Sequence, residues 1–149
     1  MIGNPKTGMS LIVKTITRLT VGLILLYGIY IVLHGHLSPG GGFAGGVIIA
    51  LAFVHLMLAF GKDAVTTRIS KSLASNLESI GALMFLSIAL LGFLGGSFFS
   101  NILSKGTSFK LFSAGTIPLS NVAISLKVGI GLLAIFLALV ILEGAKKEK

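Results

Sequence analysis

The sequence predicts an all-α integral membrane protein with four transmembrane helices and both termini in the cytoplasm. Three observations carry that reading. Only 11% of the residues are charged and 54% are hydrophobic, with a mean hydropathy of +1.04; soluble domains carry about 25% charged residues. The hydrophobic residues gather into four runs, at about 11–33, 43–60, 77–99 and 121–142, each long enough to cross ~30 Å of hydrocarbon as a helix. The cations gather between these runs on one side. With 149 residues the chain has room for a single membrane domain, 1–149. The ~10-residue alternating segments of a membrane β-barrel are absent from the sequence.

The first span has an uncharged core, Leu19–Leu33, of only fifteen residues, or ~22 Å. The helix therefore extends through Lys14 and Arg18, whose stems can lie in the apolar layer while their charges reach water. Lys6, Lys14 and Arg18 before an apolar run also fit a secretion signal. No small-x-small cleavage site follows and three more spans do, so the segment is expected to remain as a span.

Between spans one and two lies His34-Gly35-His36-Leu37-Ser38-Pro39-Gly40-Gly41-Gly42-Phe43-Ala44-Gly45-Gly46. It has no charged side chain, two of the three histidines and six of the twenty glycines. Ser38-Pro39-Gly40 is a turn signal. Three successive glycines let backbone approach backbone. The segment reads either as a plain hairpin turn or as an ordered loop packed against neighbouring helices. We expect the packed form, in which Gly41→Val would clash.

The 61–76 connector is polar and is expected to be solvated, its later half forming a short interfacial helix into span three. The 100–120 connector is rich in Ser, Gly and Phe. Its Phe109, Leu111 and Phe112 fit either the lipid surface or a partner. The 144–149 tail reads as a frayed, charged end. With four spans, Lys6, Lys14, Arg18, Lys62, Arg68, Lys71, Lys146, Lys147 and Lys149 share one side, against Lys105 and Lys110 on the other. The excess places both termini in the cytoplasm and the glycine segment on the outer side.

Small residues recur at helical spacing: Gly45, Ala52 and Ala59 in span two, Gly92 and Gly96 in span three, and Ser125, Gly129, Ala134 and Ala138 in span four. Such faces let helices approach closely where lipid supplies no hydrophobic drive. They serve packing within the chain, contact with other subunits, or both.

Ionisable residues within spans are candidate functional groups. His55 is expected near mid-depth in span two, as a proton relay or as a neutral histidine hydrogen-bonded between helices. Glu78 opens span three, where a helix N-terminus favours a carboxylate. Lys127 lies in span four, deep if that helix starts at Pro118, a favoured first-turn residue. The acidic residues Asp63, Glu78, Glu143 and Glu148 are expected near the cytoplasmic side, away from Lys127. Its partner is therefore expected to be another subunit's acidic group or a hydrated cavity, unless the side chain snorkels. No carboxylate is expected at mid-depth, which argues against a lone cation carrier. His34 and His36 have a spacing that can hold a metal, but no Asp, Glu or Cys lies nearby, so no metal is expected. The chain has no Cys, no phosphate loop, no GxSxG and no dinucleotide fingerprint. Its net charge of +8 flanks apolar spans, which fits membrane topology and not nucleic acid.

Gly35-His36-Leu37-Ser38-Pro39-Gly40-Gly41-Gly42-Phe43-Ala44-Gly45-Gly46 resembles the glycine-rich loop of the B subunit of Mrp-type multisubunit sodium/proton antiporters. The same subunit type occurs in the antiporter-like module of archaeal membrane-bound hydrogenases and their sulfur-reducing relatives. The Gly115–Asn121 stretch followed by Leu126-Lys127-Val128-Gly129 is similar to the family's entry into span four. The resemblance implies a small, multi-pass subunit of the cytoplasmic membrane that is not an enzyme by itself and carries no cofactor. It implies partnership with other membrane subunits in a hetero-oligomer that moves sodium ions and protons. It makes His36, Pro39, Gly40, Gly41, Gly42 and Phe43 the functional loop, with His36 ahead of His34. The chain departs from the family at Ala44, where a longer polar side chain is common. Lys127, His55 and Glu78 remain candidate ion-pathway or intersubunit groups. The alternative is a self-contained, homo-oligomeric small transporter or channel.

Overall fold

The computed structural model describes residues 9–67, 69–103, 106 and 113–147, with 143–147 as backbone only. Lys6, Arg68, Lys105, Lys110 and Lys149 of the charge pattern lie outside the described residues. So do Phe109, Leu111 and Phe112, and the side chains of Glu143, Lys146 and Lys147, together with Glu148.

Four long helices form: α1 (Leu11–Leu33), α2 (Gly41–Phe60), α4 (Lys71–Leu91) and α5 (Ile117–Lys147), with a single-turn α3 (Asp63–Thr66) between α2 and α4. A 3-10 turn, Gly92–Gly95, extends α4. All four long helices have the length and apolarity to cross a bilayer. The all-helical fold with four candidate spans is as the sequence predicts.

The helices stand in a row, α1–α2–α5–α4, with α5 packed against both α2 and α4. This is an open layer and not a closed bundle. α2 and α5 run parallel: Gly42 lies against Asn121, and Gly46 against Ser125 and Gly129. α1 and α4 each run antiparallel to the neighbour they pack on. The start of α1 and the end of α5 thus share one face of the layer, here the terminal face; the 34–40 turn lies on the opposite, turn face.

Several boundaries move relative to the sequence reading. α2 begins at Gly41, two residues before Phe43, so the last glycines of the motif are helical. α4 begins at Lys71 and not Leu77, because Ser70 caps it, its hydroxyl accepting from the Leu73 N–H at 3.2 Å. The polar residues 71–76 are therefore the first turns of the span. α4 also ends early: Gly96 takes a left-handed φ of 101° after the 3-10 turn. Gly92 is crowded by the Phe99 and Ser100 backbone, while Gly96 has open space around it. Gly92 and Gly96 are thus a helix stop and not a packing face. α5 begins at Ile117, with Pro118 in its first turn.

The 61–70 connector is less solvated than expected. Val65 is buried and packs with Met57 and Leu133, joined by Ile69 and Phe136. This cluster closes the terminal face under α3. At the other end, the Asn101 amide bridges to α5: its oxygen accepts from Thr116 N–H at 3.1 Å and its nitrogen donates to the Ala114 carbonyl at 3.3 Å.

Candidate functional site

The 34–46 segment is ordered and closely packed. The His34 carbonyl organises the turn, accepting from Leu37 N–H at 2.8 Å, Ser38 N–H at 3.0 Å and the Ser38 hydroxyl at 3.1 Å. The His34 ring stacks on Tyr30, with centroids 4.2 Å apart. Gly40 (φ 102°) and Gly41 (φ 44°) lie where side chains are strained, and they turn the chain into α2. Gly35 sits so close to Gly41 Cα that a Cβ would overlap it.

The first turn of α2 has N–H groups with no partner in its own helix, and hydrocarbon offers none. A residue of α5 supplies one: the Asn121 Oδ1 accepts from Gly42 N–H at 3.2 Å. Asn121 is buried, and a Cβ on Gly42 would lie 2.7 Å from Asn121 Cα. The glycines thus bring two parallel helices together until a side chain of one caps the other. His36 is half-buried in the turn, Gly41 and Gly42 are buried, and Pro39, Gly40 and Phe43 are exposed. The motif is two-sided: Gly41 and Gly42 face inward, and Pro39 and Phe43 face out of the chain.

His55 lies fourteen residues into α2 and five before its end, about halfway between the helix centre and the terminal face. Its Nε2 is within hydrogen-bonding distance of Thr20 Oγ1 (3.2 Å) and Thr17 Oγ1 (3.4 Å) on α1. Thr17 is fully buried. This is the interhelical hydrogen bond anticipated as one of the two roles for His55. One to two turns further out, Lys14 and Arg18 lie 5.9 and 5.3 Å from the centre of the Phe60 ring at the end of α2.

Lys127 overturns one expectation. Its Nζ lies 2.7 Å from Glu78 Oε1 of the same chain. The sequence reading put Glu78 at the mouth of span three, but α4 begins seven residues earlier, so Glu78 is ~10 Å inside. Lys127 is ten residues into α5 from the opposite face, or ~15 Å. Because α4 and α5 are antiparallel, the two meet between the faces. Gly81 makes the meeting possible: a Cβ there would lie 3.0 Å from both Ala123 O and Lys127 N. The expectation that the chain's own acidic residues lie away from Lys127 is overturned with it.

The turn, the His55–threonine contact and the Glu78–Lys127 pair are separate clusters. Sequence reasoning gave no role to Asn121, Gly81, Thr17 or Thr20. Gly81 carried a signal, lying three residues after Glu78 and so on the same helix face. Asn121 carried one too, as an amide just inside an apolar run.

The arrangement defines a class: a small multi-pass helical membrane protein, with a glycine-packed helix start, an intramembrane ion pair and, among the described residues, no group of His, Asp and Glu able to hold a metal. Residues 12–134 match the family described as a domain related to the MnhB subunit of Na+/H+ antiporters. The chain belongs to this MnhB family.

Among relatives, the uncharacterized protein MJ1307 of Methanocaldococcus jannaschii is 40% identical over 118 residues, covering 74% of this chain and 44% of that protein. A Staphylococcus aureus (strain Newman) protein, named as a candidate antiporter subunit mnhB2, is 43% identical over 54 residues, 36% of this chain and 38% of that one. Among solved structures, a chain of the membrane-bound sulfane sulfur reductase, an archaeal respiratory membrane complex, superposes with a TM-score of 0.75 at 34% identity. That match covers 89% of this chain and 59% of the other. The chain thus spans less than half of these two curated relatives and about three-fifths of the structural one.

Proposed function

We propose that this chain is a small integral-membrane subunit of a multisubunit sodium/proton antiporter, or of the antiporter-type module of a membrane-bound respiratory complex. It supports assembly and ion translocation and catalyses no reaction by itself. The family match over residues 12–134 is the observation that carries the reading. The likeness to a chain of an archaeal respiratory complex supports it. The form of the chain agrees: an open four-helix row leaves both outer helices with one flank uncovered, as suits a piece of a larger assembly.

In this reading the protein resides in the cytoplasmic membrane with both termini inside, as the cation excess on the terminal face favours. The glycines of the turn hold α2 on α5. Pro39 and Phe43, exposed in the isolated chain, form the outward side of the motif, available to a neighbouring subunit. Glu78 stands within α4 and reaches Lys127, so a scarcity of carboxylates does not separate a subunit from a lone carrier. Lys127 neutralises Glu78, and family membership carries the weight.

The test is purification of the tagged protein from native membranes, with identification of what comes with it, alongside the isolated chain in liposomes. Other membrane subunits should co-purify in fixed ratio, and the isolated chain should not exchange sodium for protons. Robust exchange by the isolated chain would establish the self-contained homo-oligomeric transporter instead.

A further inference from the structure

The Glu78–Lys127 pair lies within the spans yet is not enclosed by the chain. Side-chain exposure is 48% for Lys127 and 37% for Glu78. The Lys127 Nζ donates to Glu78 Oε1 at 2.7 Å. An ammonium has three donors and a carboxylate two acceptor oxygens, so the pair has hydrogen-bonding capacity to spare on its open side. Lipid cannot use it. Snorkelling cannot relieve it either, because each head group is held by the other at ~10–15 Å from the faces where their helices begin.

The surface around the pair is shaped for a helix. On α5, Gly131, Ala134 and Ala138 follow Lys127 at four, seven and eleven residues, along one face. The two alanines are exposed, and a Cβ added at Gly131 would lie 4.0 Å from Glu78 Oε1. On α4, the exposed Ser75 and Ala82 flank Glu78 by a turn each way. The sequence reading noted Ala134 and Ala138 as a close-packing face, and no helix of this chain uses them.

We propose that this α4–α5 face receives a transmembrane helix of a different subunit, one that places a hydrogen-bonding or ionisable side chain opposite the Glu78–Lys127 pair. The inference rests on the membrane-subunit reading and adds where a neighbour docks and what chemistry it presents. The small side chains let that helix come close, and its polar group uses the capacity that lipid leaves idle. A second copy of this chain fits less well, since its own pair is already internally joined.

The natural chain has no cysteine, so single thiols can be introduced on a clean background. A138C, carrying a benzophenone maleimide, is illuminated in the assembled native complex, and adducts are identified by mass. A hetero-subunit adduct supports the proposal. Adducts confined to lipid, or an adduct of twice the chain mass, overturn it. Co-purification of the unaltered tagged chain, scored separately, tells failure of this inference from failure of the subunit reading. The reversed pair E78K/K127E keeps the internal attraction but inverts what a neighbour meets. With membrane levels of the chain within twofold of the natural protein, co-purifying partner should fall at least tenfold. Unchanged recovery would overturn the proposal.

Discussion

A methyl group added at Gly42 would sit 2.7 Å from Asn121 Cα and 2.9 Å from its carbonyl carbon. Neither atom belongs to a flexible side chain, so the helices must part. Gly42→Ala should therefore destabilise the protein by about 1–3 kcal/mol, measured as a fall in the unfolding midpoint in detergent. Gly22→Ala, with nothing within 4 Å, should leave the midpoint unchanged; equal effects would show that the packing at Gly42 does not matter. Asn121→Ala removes the acceptor of the Gly42 N–H and should cost roughly 0.5–2 kcal/mol, the range for a lost helix cap. His55→Phe keeps a ring but loses both threonine contacts. Interhelical hydrogen bonds in membranes average about 0.6 kcal/mol, so a small loss is expected, and a loss of transport far beyond it would return His55 to a relay role. His36→Ala should lower ion exchange by the whole complex more than His34→Ala, because His36 belongs to the motif's packed interior while His34 stacks on Tyr30. Equal, negligible effects would remove His36 from the functional residues.

The existence and order of the four spans were legible because each is a long apolar run. The ends were less so. Span three was placed six residues late, since Lys71, Ser72, Ser75 and Asn76 look like connector. Composition does not reveal that Ser70 caps a helix starting at Lys71. That hid the ion pair: with the start read at Leu77, Glu78 belongs to the first turn, whereas it stands about two turns into α4 and within reach of Lys127. The glycine motif was legible as a close-packing element, but not its partner, because Gly42 and Asn121 lie 79 residues apart. Gly81 decides how α4 meets α5. Gly81→Leu should force these helices apart and break the pair. The distance between spin labels placed at the exposed Ala82 and Ala134 should lengthen beside the leucine. An unchanged distance would show that α4 docks without relying on that glycine.

The described chain is a row of helices with α2 and α5 at its centre and α1 and α4 at its flanks. Such a row exposes many large apolar side chains on α1 and α4, which lipid or neighbouring subunits can cover. Its orientation is testable directly: a thiol introduced at the exposed Lys62 should react with a membrane-impermeant maleimide in inside-out vesicles and not in right-side-out ones. The opposite result would invert the topology. The row also has a history in time. The amide that caps α2 is synthesised 79 residues after the Gly42 N–H it satisfies, roughly 4–16 s later at 5–20 residues per second. Until α5 arrives, the nascent α1–α2 hairpin has an open helix start and a bare strip of glycine backbone. The protein therefore cannot mature span by span: its first hairpin waits, incompletely bonded, for its last helix. A stop codon before residue 117 should give a chain that inserts but is cleared by quality-control proteolysis, whereas one after residue 142 should persist.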